Sequence, residues 1–145
     1  MIRGDIILYV GVDIIEIDRI RKAVTRIPRF QNRVFTPQEL DYCLKKRNPY
    51  PSLAARFAAK EALRKLHPAF SSGISFHDVE VINNSSGKPE LLLHGKAMDI
   101  KVGNGIGDIA ISLSHSNYTA IAVVTAMREG EYEGENLKSG GDEGN

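Results

Sequence analysis

The sequence contains almost no cysteine and no tryptophan. Cys43 is the single cysteine among 145 residues, so an internal disulfide and a cysteine-based zinc site are both excluded, and Cys43 is expected to be a small core residue. No apolar run approaches the roughly 20 residues that a membrane-spanning helix needs. Asp5 lies in an N-terminal segment without a recognisable cleavage site, unlike a secretory signal peptide. These absences predict a soluble cytoplasmic protein.

Aromatic residues are also scarce, at 7% of the chain. A module that binds RNA or DNA would be expected to offer aromatic stacking platforms or a recognised motif, and neither is present. The phosphate-binding loop G-x-x-x-x-G-K-[ST] is absent as well, which disfavours the common class of nucleotide hydrolases. A nucleic-acid-binding module and a magnesium phosphotransferase or nucleotide hydrolase of some other kind are kept as alternatives to the interpretation developed below.

Charge is distributed unevenly along the chain. Residues 129–145 hold six acidic side chains and one lysine, together with several glycines, so the remaining 128 residues carry a net charge of +6. A segment of this composition cannot offset the entropy of ordering. We therefore predict a single basic domain over residues 1–128 and a disordered acidic, glycine-rich tail over 129–145. The basic domain should attract an acidic partner.

Hydrophobic periodicity predicts an α+β domain with a mostly antiparallel sheet packed against helices. An apolar β-branched run indicates a strand from Ile6 to Ile15, and apolar residues at helical spacing indicate a helix from Ile17 to Ile27. Thr36-Pro37-Gln38-Glu39 predicts a capped helix start, and an Ala-rich helix is expected from Ser52 to His67. The later part of the chain predicts a hairpin around 79–93, a short helix over 96–101 and two strands over 109–125.

Two carboxylates interrupt these apolar patterns. Asp13 lies within the first strand, and Glu61 follows Leu53 and Phe57 at helical spacing. Taken singly, Asp13 fits an acid that caps the next helix, and Glu61 fits a surface pair with Lys65. Taken together, two carboxylates suit Mg²⁺, which is usually completed by waters and substrate phosphate, although Mn²⁺ would serve equally.

Cations and hydroxyls near these acids are candidate phosphate contacts. They include Arg56, Lys60 and Lys65 on the Ala-rich helix, and Ser114-His115-Ser116 where a strand turns. His115 also fits a turn histidine that bonds the backbone, and Gly87-Lys88-Pro89 fits an ordinary hairpin turn. From the residues alone, the sequence predicts a basic domain with a possible magnesium–phosphate site.

Several segments resemble the motifs of the holo-acyl-carrier-protein synthases, the short-type 4′-phosphopantetheinyl transferases. Residues 11–20 (GVDIIEIDRI) resemble the first motif, and residues 56–62 (RFAAKEA) resemble the second, with Lys65 at the expected spacing. Residues 87–89 (GKP) and 112–116 (SLSHS) resemble later motifs in the same order. The resemblance covers about residues 8–127 and gives no role to the acidic tail.

The resemblance implies transfer of 4′-phosphopantetheine from coenzyme A to a serine of apo-acyl carrier protein, with release of adenosine 3′,5′-bisphosphate. It implies that Asp13 and Glu61 hold Mg²⁺ and that Lys65 and His115 contact the pyrophosphate. The nucleotide end would be held by a further set of residues: Arg56, Lys60, Gly87, Lys88, Pro89 and Ser116. The group that takes the serine proton stays open between Glu61 and a water on the metal.

The resemblance also implies partners. Members of the family form homotrimers with each site between two subunits, so a single chain is expected to lack a complete pocket. Carrier proteins are acidic, and Arg19, Arg26 and Arg29 are the predicted docking residues on the basic side of the first helix, although a solvated basic face is the alternative.

Overall fold

The computed structural model describes residues 6–129. Helices and strands follow in the order β1 (Leu8–Glu16), α1 (Ile17–Arg26), α2 (Phe30–Val34), α3 (Pro37–Leu44), α4 (Tyr50–Leu66), β2 (Val79–Asn83), β3 (Pro89–Leu93), α5 (Gly95–Gly103), β4 (Ile106–His115) and β5 (Thr119–Arg128). Two short 3-10 turns, Pro68–Phe70 and Phe76–Asp78, join α4 to β2.

The strands form two antiparallel sheets. β1, β5 and β4 make a three-stranded sheet in that order, and β2 pairs with β3 in a separate hairpin. The long helix α4 packs against both β1 and β5 and contributes much of the hydrophobic core. The predicted α+β class with antiparallel strands on helices is confirmed.

Gly11 allows α4 to pack unusually close to β1. A Cβ atom built on Gly11 would lie 2.0 Å from the carbonyl oxygen of Ala62 and 2.9 Å from the backbone nitrogen of Leu66. Any side chain at Gly11 would therefore overlap the backbone of the helix. Because alternate residues of a strand share a face, Asp13 lies on the same side of β1 as Gly11 and faces α4.

The other face of the sheet carries apolar side chains that are open to solvent. Alternation along β1 exposes Leu8 by 60%, Val10 by 52%, Val12 by 46% and Ile14 by 63%. On β5 the register places Val123 opposite Val12 and Ile121 opposite Ile14. The result is an apolar patch on the outer face of β1 and β5, which we call the outer sheet face.

Helix boundaries agree with the sequence in most places and differ in two. The capping box of Thr36 and Glu39 begins α3 as predicted. Helix α4, however, begins at Tyr50, so the predicted start at Ser52 is wrong: Pro49 is the N-cap and Ser52 lies inside the first turn. The short helix α2 was not predicted, because its five residues are too few to show a period.

Nearly all of the predicted tail lies outside the described residues, apart from Glu129. Between residues 6 and 129, no helix combines the length and apolar character needed to cross a membrane.

Candidate active site

Asp13 and Lys65 form the centre of the candidate site. The Nζ atom of Lys65 lies 2.8 Å from Oδ1 of Asp13, which joins β1 to α4. The Asp13 side chain is 15% exposed, whereas Lys65 is 57% exposed. The carboxylate is thus held in place by the packing of the strand, and its cation can reach solvent.

Glu61 lies one turn before Lys65 on the same side of α4, because residues four apart are neighbours on a helix surface. Its side chain is 29% exposed, and its nearest ion-pair partner is Nε of Arg64 at 4.0 Å. The spacing from Leu53 and Phe57 put Glu61 on an apolar side of the helix, and the structure leaves its side chain partly exposed there. Glu61 lies at the edge of the buried face, with a carboxylate that can accept a ligand.

Asp13 and Glu61 supply the carboxylate oxygens that a metal ion could use in this site. Within residues 6–129, no cluster of three or more His, Cys, Asp or Glu side chains could enclose an ion. Two carboxylates from β1 and α4 nevertheless fit Mg²⁺, which keeps several waters and binds through one or two carboxylates plus substrate phosphates. The residues present therefore fit an ion that the substrate completes, and they do not fit an all-protein cage.

A different side of α4 carries Arg56 and Lys60. These two residues are also four apart and share a face, but Arg56 and Glu61 are about 140° apart around the helix axis. The sequence expected all four polar residues of α4 to converge on one ligand. The structure instead directs Lys65 towards β1, with Glu61 one turn before it on the same side of α4, and directs Arg56 and Lys60 towards α3 and the β2–β3 hairpin.

Arg56 is 3% exposed and connects α4 to the hairpin turn. Its Nη2 donates to Oδ1 of Asn83 at 2.6 Å, and Nδ2 of Asn83 donates to the carbonyl of Gly87 at 3.0 Å. The guanidinium also lies 4.4 Å from the ring centroid of Tyr42. Its Nε has no hydrogen-bond partner within the described part of the chain. Arg56 and the Gly87 turn are therefore connected through Asn83.

Lys60 is 1% exposed and forms an ion pair with Glu39, whose Oε1 lies 2.9 Å from its Nζ. The ammonium also donates to the carbonyls of Phe76 and Val79. Burial lowers the pKa of Lys60, although the charge of Glu39 opposes that shift. Since all three ammonium hydrogens are used and none reaches solvent, the expectation that Lys60 contacts the nucleotide is corrected.

A second acid adjoins this pair. Glu80 is 6% exposed; its Oε2 accepts a hydrogen bond from Oγ1 of Thr36, and its Oε1 lies 3.0 Å from Nε2 of His94. Burial works against ionisation of Glu80, but the hydrogen bonds from Thr36 and His94 outweigh it and hold the pKa of the carboxyl below its usual value. Polar groups thus line the junction of α3, α4 and β2.

His115 and Ser116 lie where β4 turns into β5. His115 pairs with Ala120, which in turn pairs with Ile15, so His115 is on the helix-facing side of the sheet. Strand spacing places it roughly 12 Å from Asp13. Its Nδ1 lies 3.1 Å from the carbonyl of Ser116, and the Ser116 hydroxyl accepts from the backbone nitrogens of Tyr118 and Thr119. The turn thus lies on the same side of the sheet as Asp13, at the far edge of the strand pair β4–β5.

The turn 84–88 is built by a side chain. Oδ1 of Asn84 accepts from the backbone nitrogens of Ser86 at 2.9 Å and Lys88 at 3.0 Å, and Gly87 adopts a φ of +85° that favours glycine. Lys88 is exposed, and Pro89 begins β3. The turn thus presents a cation on a fixed backbone.

An apolar groove with a basic rim runs along α1. Its volume is about 350 Å³. The floor includes Ile20, Ile27, Phe30 and Phe57, and the rim includes Arg19, Lys22 and Arg26. Arg29, the third predicted docking residue, is exposed beyond the groove in a left-handed conformation with φ of 68°.

The sequence did not predict the residues that contact Lys60 and Arg56. Glu39 was identified as a capping residue, but no signal indicated that its carboxylate also reaches Lys60. Asn83 and Tyr42, which hold Arg56, carried no signal because their partners are distant in sequence.

Comparison with known proteins identifies the family. The family model described as the 4′-phosphopantetheinyl transferase superfamily matches residues 9–121. The chain belongs to this superfamily.

Named relatives within the superfamily are similar over most of the chain. A holo-[acyl-carrier-protein] synthase of Caldanaerobacter subterraneus is 42% identical over 120 residues, which are 83% of this chain and 94% of the relative. Another, from Dehalococcoides mccartyi, is 46% identical over 121 residues, covering 83% of this chain and 98% of the relative. Among solved structures, the Helicobacter pylori holo-[acyl-carrier-protein] synthase in complex with coenzyme A is 31% identical, with a TM-score of 0.66 over 81% of this chain and 98% of that one.

These similarities confirm the predicted family, the predicted fold and the predicted enzyme class, a transferase that moves phosphopantetheine from coenzyme A to acyl carrier protein in the context of fatty acid biosynthesis. They do not bear on which side chains bind the substrates.

Proposed function

We propose that the chain transfers 4′-phosphopantetheine from coenzyme A to a serine of apo-acyl carrier protein at a Mg²⁺ site formed by Asp13 and Glu61. The observation that carries the proposal is the position of these carboxylates. Asp13 on β1 is bonded to Lys65, and Glu61 lies one helical turn from Lys65, at the point where β1 and α4 meet. Membership of the transferase superfamily then supplies the reaction.

Asp13, Glu61 and Lys65 each have a distinct part in the reaction. When bound, Mg²⁺ supplies electrostatic stabilisation for the charge that develops on the pyrophosphate of coenzyme A. Asp13 and Glu61 would hold the ion, with Asp13 fixed by the strand. Lys65 has a half-exposed ammonium, which would neutralise phosphate charge as it develops. Glu61 also remains a candidate for the group that takes the serine proton, because its carboxylate is partly open to solvent.

The nucleotide end of coenzyme A is assigned to the Arg56 and Gly87-Lys88-Pro89 region. Support comes from the chain of contacts from Arg56 through Asn83 to Gly87 and from the exposed cation of Lys88. His115 and Ser116 are proposed to contact phosphate from the β4–β5 turn. Arg56 and the hairpin turn lie on another side of α4 from the carboxylates, and strand spacing separates the Cα atoms of His115 and Asp13 by roughly 12 Å, which favours a site completed by a second copy.

Intact-mass analysis tests the reaction. The chain is incubated with apo-acyl carrier protein, coenzyme A and Mg²⁺, and the carrier is expected to gain the mass of one phosphopantetheinyl group. A carrier variant with alanine in place of the acceptor serine serves as the control. No mass gain with several different carriers would contradict the proposed function.

The outer sheet face supports the homotrimer that the family resemblance implies. Alternate residues of β1 from Leu8 to Ile14 are 46% to 63% exposed, and the patch continues onto β5. Contiguous exposed apolar patches of this kind mark interaction surfaces. A second copy is a suitable occupant, because the family resemblance implies a site shared between two subunits.

Replacing Val12 by Glu is expected to convert the trimer into single chains and to remove most of the transfer activity, since a charge would be buried in the interface. Sedimentation velocity measures the assembly. The control is Val102→Glu, which introduces the same charge at a 71% exposed position on α5. If Val12→Glu sediments as the wild-type protein does, the outer sheet face is not the interface.

The groove on α1 supports docking of the acidic carrier protein. Asp18 neutralises two of the nearby cations through ion pairs with Arg21 and Lys22, and their hydrogen bonds hold the pKa of Asp18 below its usual value. Arg19 and Arg26 take part in no ion pair within residues 6–129. An acidic helix with apolar residues would match both the rim and the floor of the groove.

Charge reversal at Arg19 tests this docking. Arg19→Glu is expected to raise the KM for carrier protein about tenfold, because a like charge would face the acidic partner, and to leave the KM for coenzyme A unchanged. Lys96→Glu, on the exposed side of α5, is the matched control. A higher KM for coenzyme A with normal carrier affinity would reject the assignment of Arg19.

A cytoplasmic location is part of the proposal. It is supported by Cys43, a single buried cysteine, since a chain that needs no disulfide does not require an oxidising compartment.

A further inference from the structure

The buried ion pair of Lys60 and Glu39 sits next to the candidate metal ligand Glu61 in sequence, yet it faces another part of the fold. Lys60 and Glu39 are each 1% exposed. Their contact joins α4 to α3, and each partner makes further bonds. Lys60 donates to the carbonyls of Phe76 and Val79, and Oε2 of Glu39 accepts from the backbone nitrogen of Val81 at 2.9 Å.

Both oxygens of Glu39 accept hydrogen bonds. Its Oε1 accepts from the backbone nitrogen of Thr36 at 2.9 Å as well as from Lys60. One carboxylate therefore closes the capping box of α3, binds strand β2 and holds the cation of α4. Directional bonds of this kind specify one arrangement of the three elements, whereas apolar contacts would tolerate small rotations.

Stability alone is a weak reason for such a pair. Removing two charges from water is costly, and replacing a buried ion pair by apolar residues of similar volume is often neutral or stabilising. The pair does, however, determine how α4 is rotated about its own axis. One side of the helix is fixed by Lys60, and the other lies against Gly11 of β1.

Glu61 and Lys65 depend on that rotation. A side-chain group lies roughly 6 Å from a helix axis, so a rotation of about 10° would move the Glu61 carboxylate by about 1 Å. A displacement of about 1 Å at a reacting centre can reduce a rate by about 10²-fold. The geometry of the carboxylate site is thus sensitive to the rotation of α4 about its own axis.

We propose that Lys60 and Glu39 are positioning residues for the transfer reaction: their buried ion pair fixes the rotation of α4 and thereby aims Glu61 and Lys65 at Asp13. The inference rests on the proposed function, in which Asp13 and Glu61 hold the metal. It replaces the phosphate contact that the sequence suggested for Lys60 with an action through the neighbouring residue.

The test uses the double variant Lys60→Met/Glu39→Leu, which removes both charges and so leaves no unpaired ion in the core. We expect its melting temperature to fall, because the backbone N–H groups of Thr36 and Val81 lose their acceptor, so activity and metal affinity are measured at a temperature where the variant is folded. At saturating substrates kcat should fall about 10- to 10²-fold, and the Mn²⁺ affinity measured by electron paramagnetic resonance should fall as well. The KM for carrier protein should not change, because the groove on α1 is untouched.

Leu63→Met is the matched control, since Leu63 is buried on the same helix and makes no polar side-chain contact. It should keep both kcat and Mn²⁺ affinity. Glu39→Gln is the second test variant: it preserves the shape of the side chain and should shift kcat and Mn²⁺ affinity in the same direction, so the test remains decisive if the double variant does not fold.

The outcomes distinguish a failure of the positioning role from a failure of the proposed function. Wild-type kcat and Mn²⁺ affinity in a folded double variant, or in Glu39→Gln, would overturn the positioning role and leave the proposed function standing. Absence of transfer by the wild-type chain, measured in parallel, would overturn the proposed function and this inference with it.

Discussion

Replacing Asp13 by Asn, or Glu61 by Gln, is expected to lower the rate of phosphopantetheine transfer by about 10²- to 10³-fold. Each change removes one negative charge from the site that is proposed to hold Mg²⁺ against the pyrophosphate, and losing one electrostatic stabiliser of a transition state typically costs that much. Intact-mass kinetics of carrier modification at saturating coenzyme A measure the rate. Both substitutions keep the shape of the side chain.

The two variants should differ in their effect on the ion pair of Lys65. Asp13→Asn also removes the ion-pair partner of Lys65, whereas Glu61→Gln leaves the contact between Asp13 and Lys65 intact. Asp41→Asn is the control, since Asp41 is exposed on α3 and forms an ion pair with Lys45, away from the candidate site. If both site variants transfer at the wild-type rate with a normal Mg²⁺ requirement, the assignment of Asp13 and Glu61 is wrong.

Replacing Gly11 by Ala is expected to destabilise the fold by about 3 kcal/mol or more, a size reserved for severe overpacking. The added methyl group would lie 2.0 Å from the carbonyl oxygen of Ala62, and backbone atoms cannot move aside as a flexible side chain can. Either α4 shifts away from β1 or the fold opens. In both cases Asp13 separates from Lys65, so activity should fall together with stability. Urea denaturation gives the free energy of unfolding.

Gly103→Ala is the matched control, because it adds the same methyl group to a glycine of α5 with nothing within 4 Å of the new atom. Its free energy of unfolding should stay the same or rise slightly, since alanine restricts the unfolded chain. Equal effects of the two substitutions would mean that close packing at Gly11 does not hold the site together.

The secondary structure was largely predictable because its signals are local. A β-branched run gave β1, the Thr36–Glu39 box gave the start of α3, and the alternating strands gave the hairpin and the final pair. The errors arose where local signals were weak. Ser52 is a good capping residue, yet the chain already enters the helix at Tyr50, after Pro49.

The site was predictable in its residue types and less so in its arrangement. Ala-rich α4 is buried on most of its surface, so no apolar stripe tells which polar residue faces which neighbour. Lys60 and Lys65 therefore looked equivalent, although one is buried against Glu39 and the other is exposed beside Asp13. That distinction depends on contacts between residues far apart in sequence, which no local pattern encodes. Asp13 and Lys65, for example, are 52 positions apart.

The central claim is that carboxylates from β1 and α4 bind one divalent ion. A crystal of the protein grown with coenzyme A and Mn²⁺, with data collected at the manganese absorption edge, locates that ion directly. We expect an anomalous peak within about 2.0–2.2 Å of an oxygen of both Asp13 and Glu61, close to the distance at which Mg²⁺ is bound. A peak bound by only one of these residues, or by neither, would contradict it.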